Sequence, residues 1–320
     1  MKRFIFCFAY LVFYFNFTFG ADSIYVAKYK NDKICAISYT FDDGLKDQYT
    51  VLFPILEKYG FKATFWIWGL CIDNKSADLG KPRMSWKEIK ELAKKGHEIS
   101  NHSWSHKNMR KITLKEAKVE IEKNDSAIFA NTGIMPRTFC YPNNVKPSSV
   151  VKLASKGRVG TRLTQIRVGG KITAEQLEQW VNSLLTSGEW EVTMTHGIKR
   201  GYDAFKKPDV LWNHFEKVKA LEEKIWVGTF REIAAYTNEQ KHVRLDIRQQ
   251  KKGYTITPQL DLDKEIFTEP LTMVIKQKEV KKISVRQGKK KLSVRQNGDK
   301  FIFDFDPHGK TIKIAFFCRK

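Results

Sequence analysis

The chain has no Cys-x-x-Cys pair and only 5 cysteines in 320 residues. That excludes a cysteine-framed zinc module, whose ligands come in closely spaced pairs. A chain of this length can build a core without a disulfide framework. Cys35, Cys71, Cys140 and Cys318 could pair in three ways in an exported protein, but neighbours such as Ile34, Ala36 and Phe317 suit buried thiols. No apolar run is long enough for a comfortable membrane span. The longest, Phe4 to Phe19, follows the basic head Met1-Lys2-Arg3 and precedes the small residues Gly20 and Ala21. This is the pattern of a secretory signal peptide over residues 1–20, with an uncleaved anchor as the alternative. It predicts a secreted or periplasmic protein with no stable membrane span after cleavage.

Acidic residues are also scarce: 35 Asp/Glu stand against 57 Lys/Arg, a net charge of +22. Residues 241–320 hold 20 Lys/Arg and 9 Asp/Glu, so half of the excess lies in the last quarter. A basic surface attracts polyanions of any kind. Behind a signal peptide an anionic polysaccharide or envelope polymer is the expected class and nucleic acid is not; the alternative is a merely solvated surface. Hydrophobic content of 42% and charged content of 29% suit an ordinary globular chain.

Apolar runs alternate with amphipathic stretches as far as Asn238. The runs Ile34–Phe41, Ala63–Trp68, Glu98–Asn101, Thr138–Tyr141, Arg158–Leu163, Glu191–Thr195 and Ile225–Thr229 predict strands. Gln48–Tyr59, Trp86–Lys95, Leu114–Asn131, Ser148–Ser155, Ala174–Leu185 and Val210–Glu223 predict helices, with a closing helix over Thr229–Tyr236. Ser85 with Glu88 and Thr173 with Gln176 have the spacing of capping boxes. Alternating strands and helices imply a parallel sheet, here a closed or nearly closed β/α barrel over residues 21–240. Residues 241–320 instead read as short strands punctuated by Lys252-Gly253, Asn297-Gly298-Asp299 and Pro307-His308-Gly309. They predict a small antiparallel, sandwich-like β-domain.

Chemistry concentrates at strand ends. Thr40-Phe41-Asp42-Asp43-Gly44 closes one apolar run, and His102-Ser103-Trp104-Ser105-His106 follows another. One carboxylate and two imidazoles make three ligands with an open position, the arrangement of a catalytic rather than a structural zinc site. Zinc is the expected divalent ion, and cobalt or another divalent ion fits the same donors. His97 and the helical His214 read as structural and surface residues.

At these motifs the sequence, over roughly Asp32 to Asn238, resembles the polysaccharide deacetylases of the NodB-homology, carbohydrate esterase family 4 group. The resemblance implies a distorted (β/α) barrel and a metal-dependent hydrolase acting on amide or ester bonds of acetylated glycans. It implies Asp42 as general base and Asp43, His102 and His106 as metal ligands. His196, in Met194-Thr195-His196-Gly197, resembles the late Leu-x-His motif and is the implied general acid. Met194 would line the acetyl pocket. Pro136 to Asn143 resembles the third motif, with the backbone N–H of Asn143 implied as an oxyanion donor. Trp104, between the two histidines, and Tyr141 are the expected substrate-pocket aromatics. The partner implied is an acetylated poly- or oligosaccharide. Two departures stand out. Cys140 occupies the position where many relatives have the arginine that braces the base, leaving Arg137, Arg162 or Arg167 as substitutes. The Asp-Trp-type fourth motif is not recognisable around Val159–Leu163. The alternative function is a non-catalytic carbohydrate-binding or envelope protein on the same scaffold.

Overall fold

The alternating runs fold into alternating strands and helices in the computed structural model, which describes residues 23–74 and 80–318. The leader expected over residues 1–20 lies outside the described residues. The strands are β1 (Ser23–Val26), β2 (Cys35–Ser38), β3 (Thr40–Asp42), β4 (Thr64–Ile67), β5 (Glu98–Asn101), β6 (Thr138–Phe139), β7 (Gly160–Thr161), β8 (Ile166–Arg167), β9 (Trp190–Met194) and β10 (Ile225–Val227). The helices are α1 (Phe53–Tyr59), α2 (Trp86–Lys94), α3 (Leu114–Thr132), α4 (Ser148–Ala154), α5 (Ala174–Ser187), α6 (Asp209–Ala220) and α7 (Phe230–His242).

The apolar run 34–41 does not form the single strand expected of it. It divides at Tyr39. β2 joins the parallel sheet β10-β2-β9-β8, and β3 joins the parallel sheet β3-β4-β5-β6-β7. The two sheets meet where Asp42 N–H donates to Thr195 C=O at 2.8 Å and Thr195 N–H donates to Thr40 C=O at 3.1 Å. The result is a curled, distorted β/α barrel. Its strands run as continuous apolar segments because helices cover the outside. Phe41, Phe65, Ile67 and Ile99 pack with Leu52 from the segment leading into α1, Leu56 of α1 and Leu92 of α2.

Helix starts are set chemically. Ser85–Glu88, Thr113–Glu116, Thr173–Gln176 and Thr229–Glu232 all form reciprocal capping boxes. Each satisfies two orphan donors of the first turn. α1 ends at Gly60, whose φ of 69° is the left-handed region that favours glycine.

The last quarter forms β11 (Arg244–Gln250), β12 (Gly253–Gln259), β13 (Leu271–Lys276), β14 (Val280–Gln287), β15 (Lys290–Leu292), β16 (Arg295–Asn297), β17 (Lys300–Phe305) and β18 (Ile312–Cys318). These strands make two antiparallel sheets, β11-β12-β18-β14-β15 and β1-β13-β17-β16. β1 was not anticipated; it pairs with β13, so the described chain begins inside the carboxy-terminal sheet. One core joins Ala36, Trp226, Ile233 and Tyr236 of the barrel to Met273, Phe301, Phe303 and Ile314 of the sandwich.

Candidate metal centre and active site

The site lies at the carboxy-terminal ends of β3, β5, β6 and β9, where a parallel barrel leaves its loops open to solvent. A cleft of about 520 Å³ opens there. It is lined by Asp42, Asp43, His102, His106, Arg162 and His196, together with Tyr141, Asn143, Met194 and Tyr202.

The loop after β5 is shaped by buried amides. Asn101 Oδ1 accepts from Ser103 N–H at 2.7 Å and from Asn124 Nδ2 at 2.9 Å. Glu120 accepts from Ser105 N–H at 2.7 Å, and Ser103 Oγ accepts from His106 N–H at 3.1 Å. Ser103 and His106 have φ of 64° and 56°, so the loop doubles back and brings both imidazoles to one side. Asp43, also left-handed at φ 75°, turns its carboxylate toward them.

Asp43 Oδ1 lies 3.6 Å from His102 Nε2 and 3.6 Å from His106 Nε2. It is buried and has no hydrogen-bond partner among the described residues. His102 Nδ1 lies 2.9 Å from Cys140 C=O, which fixes the proton on Nδ1 and leaves Nε2 as a lone-pair donor. Burial lowers the pKa of His102, and burial with the neighbouring His102 ring lowers that of His106 to about 4, so both rings are neutral near pH 7. A buried carboxylate oxygen without a partner, facing two neutral ring nitrogens, fits a divalent cation. His106 also stacks on Trp68 with centroids 4.7 Å apart, and Arg83 Nη1 donates to Asp43 C=O at 3.0 Å.

Asp42, beside this triad, faces Arg162. Arg162 Nη1 donates to Asp42 Oδ1 at 2.7 Å and Nη2 donates to Oδ2 at 2.5 Å, a two-pronged buried pair. Nη1 also donates to Thr40 Oγ1 at 2.7 Å. Burial alone would raise the Asp42 carboxyl; the Arg162 guanidinium outweighs it and holds the pKa at about 2. Of the three arginines that could brace this carboxylate, Arg162 does. Arg137 instead donates to Gly157 C=O at 3.2 Å, and Arg167 pairs with Asp203 at 2.6 Å. The brace therefore comes from the segment after β7, where the sequence showed no recognisable motif. Cys140, at the expected arginine position, is a buried thiol 4.0 Å from Asp42 Oδ2.

His196 Nε2 lies 3.9 Å from Asp42 Oδ2 across the cleft. Gln48 ties the two together, its Nε2 donating to Asp42 C=O at 2.7 Å and to His196 C=O at 2.9 Å. Tyr202 stands edge-on to His196 at 5.0 Å. Neither Gln48 nor Tyr202 was singled out in the sequence; a glutamine opening a helical turn and a tyrosine in a loop carry no motif.

Met194, Tyr141 and Asn143 line the cleft as expected, and Tyr141 donates its hydroxyl hydrogen to Thr161 Oγ1 at 2.9 Å. Asn143 lines the cleft from a left-handed turn at φ 55°. Trp104 does not join them. The left-handed turn at Ser103 sends its ring against Gly69, under Lys123 Nζ at 4.4 Å, and Trp68 and Tyr202 join Tyr141 as aromatics beside the site. His214 is not on the surface: it is buried, 2.7 Å from Tyr39 Oη and stacked on Trp180. His97 is structural, accepting from Ala63 N–H at 3.2 Å.

Residues 29–159 match the polysaccharide deacetylase family model. The chain is 32% identical over 110 residues to the uncharacterized protein YlxY of Bacillus subtilis (strain 168), covering 34% of this chain and 31% of that protein. It is 32% identical over 118 residues to the peptidoglycan-N-acetylglucosamine deacetylase PgdA of Listeria monocytogenes (strain 10403S), covering 37% of this chain and 23% of that protein. The matched region thus spans less than a third of these curated relatives. A crystal structure of a proposed polysaccharide deacetylase from Mycobacterium smegmatis has the same fold, with a TM-score of 0.51 at 15% identity. That similarity covers 68% of this chain and 94% of the other.

Proposed function

We propose that this deacetylase domain is a divalent-metal-dependent hydrolase that removes N-acetyl or O-acetyl groups from a poly- or oligosaccharide outside the cytoplasm. The observation that carries the reading is the orphaned, buried Asp43 Oδ1, 3.6 Å from the Nε2 atoms of His102 and His106 and next to the braced Asp42.

Asp43, His102 and His106 would hold the ion, zinc by default with cobalt as an alternative. A bound divalent ion supplies Lewis acidity toward a carbonyl oxygen and toward water. Asp42, held ionised by Arg162, takes the proton that water loses on attacking the acetyl carbon. His196, facing Asp42 across the cleft, gives a proton to the departing amine or alkoxide. The backbone N–H of Asn143 stabilises the oxyanion, a contribution typically worth about 3 kcal/mol of barrier. Met194 and Tyr141 shape the wall that receives the acetyl methyl. Export rests on the amino-terminal leader pattern; no helix among the described residues is long and apolar enough to cross a membrane.

The ligand assignment is tested by cobalt titration followed by visible absorption. The wild type should bind one equivalent, and His102→Ala should lose most of the band because two protein ligands hold the ion poorly. Full cobalt occupancy in His102→Ala, with the same spectrum, would remove the assignment.

A further inference from the structure

The cleft is flanked by two further depressions on the same barrel face. One, of about 500 Å³, is lined by Lys46, Lys81, Lys199 and Arg200. The other, of about 580 Å³, is lined by Arg167, Lys171, Gln179 and Trp180. Lys81 lines both the first depression and the cleft. On the other side the Arg167 guanidinium lies 5.6 Å from the ring of Tyr202, which lines the cleft. The first hollow thus shares Lys81 with the cleft, and the second neighbours the cleft across the Arg167–Tyr202 contact, a row that a bound chain could follow as one trough.

The charges along this trough are not balanced. Asp203 pairs with Arg167, and Asp47 Oδ2 accepts from the N–H groups of Ile198, Lys199 and Arg200 at 2.9, 2.7 and 2.9 Å. Lys46 pairs with Glu88. Lys81, Lys171, Lys199 and Arg200 are exposed and have no ion pair among the described residues. Lys199 and Arg200 are also fixed in place. The buried Asp47 carboxylate anchors the backbone of the turn that carries them, directly after His196. A neutral glycan gains only hydrogen bonds from such cations, whereas an anionic one also gains charge attraction.

We propose, building on the deacetylase reading, that the trough takes a polyanionic glycan, with carboxylate or sulfate groups on the sugars flanking the acetylated one. Lys199, Arg200 and Lys81 meet the anionic groups on one side of the reacting sugar, and Lys171 meets those on the other. Trp180 and the two glutamines there, Gln176 and Gln179, offer an apolar edge and hydrogen bonds to sugar hydroxyls. Cations aligned along a cleft raise local substrate concentration and encounter rate in a salt-dependent way.

The test compares acetate release by the zinc-loaded full chain on acetylated polygalacturonate (carboxylates), acetylated carrageenan (sulfates) and acetylated xylan (neutral). At low salt, kcat/KM on at least one anionic polymer should exceed that on xylan by about tenfold or more. At about 0.5 M salt the advantage should shrink toward parity. Lys199→Gln/Arg200→Gln should collapse the anionic-to-neutral ratio, whereas Lys281→Gln/Lys282→Gln in the sandwich should leave it unchanged. The polymer that is preferred identifies the anionic group. Equal rates on all three, a salt-independent ratio, or a ratio that responds to the sandwich variant and not to the trough variant overturns the proposal. Affinity electrophoresis in unacetylated polygalacturonate separates the two readings. Salt-sensitive retardation lost in Lys199→Gln/Arg200→Gln, with no acetate released from any polymer, removes the deacetylase reading and keeps the trough. Acetate release without retardation or anionic preference does the reverse, and neither signal defeats both.

Discussion

At the scale of single residues the governing contact is the buried pair of Asp42 and Arg162. A carboxylate held at about pKa 2 stays ionised throughout any ordinary assay, as the proposed base must. Its depressed pKa also contributes stability that is present above the unfolded value of 3.8 and is lost only as pH falls toward about 2. Arg162→Lys keeps the charge but loses the planar two-pronged contact. It should lower kcat by about 10- to 100-fold, since small misplacements of a catalytic group cost that much. With the second prong gone, the Asp42 carboxyl should rise, and the acid limb of the kcat/KM profile should move to higher pH. A pH–rate profile with an unshifted acid limb would show that Arg162 does not tune the base. Arg162→Met leaves the buried carboxylate unpaired and should cost about 3–5 kcal/mol of stability, read by denaturant unfolding.

At the scale of elements, the turn after β9 shows what positions His196, the proposed general acid. Asp47 spends one carboxylate oxygen on three successive N–H groups, from Ile198 to Arg200, and so fixes the backbone just past His196. Asp47→Asn keeps the shape but loses the charge that strengthens those bonds, each worth about 1.5–3 kcal/mol to an ionised acceptor. It should lower the melting temperature and kcat together while cobalt binding through Asp43, His102 and His106 stays at one equivalent. Loss of cobalt binding instead would place Asp47 in the metal site's support. Much at this scale was legible in the sequence. Apolar runs located β4, β5 and β9, and the Ser85 and Thr173 spacings located two helix starts, because those signals are local. The split of 34–41 into β2 and β3 was not legible, since both halves are equally apolar and only their sheet partners differ. β8 was not legible, being two residues long and too short for any periodicity, whereas the equally short β6 and β7 lie inside the apolar runs Thr138–Tyr141 and Arg158–Leu163. Arg162 could be named as a candidate but not chosen, because the choice depends on which loop reaches Asp42. That Trp104 falls outside the cleft lining was not legible either, because a left-handed Ser103 alters the direction that sequence adjacency suggests.

At the scale of the whole molecule, the barrel and the sandwich share a core, and β1 crosses from the first described residues into the second sheet. A chain ended at Asn238 would expose Ala36, Trp226, Ile233 and Tyr236 and should fail to give a soluble, cooperatively unfolding barrel. A soluble, metal-binding truncation would show the sandwich to be dispensable. Glu239, at the same junction, accepts from Glu269 N–H at 3.1 Å, and its Oε2 is buried without a partner among the described residues. Burial pushes its pKa up to about 8. The folded chain therefore keeps a proton that the unfolded chain releases near 4.5, so stability falls as pH rises between about 4.5 and 8. Glu239→Gln should flatten that slope and raise stability at the alkaline end by on the order of 2 kcal/mol, measured by urea unfolding across the range. An unchanged slope would mean that the carboxyl is ionised in place.

The central claim is that Asp43, His102 and His106 hold a divalent ion on which glycan deacetylation depends. The most direct measurement is acetate release from an acetylated oligosaccharide panel by the full chain, first stripped with chelator and then titrated with zinc or cobalt. The account predicts no release from the stripped protein and recovery that saturates at one equivalent of metal per chain. Release that persists in the stripped protein, or metal binding at one equivalent that restores no release from any acetylated glycan, would contradict it.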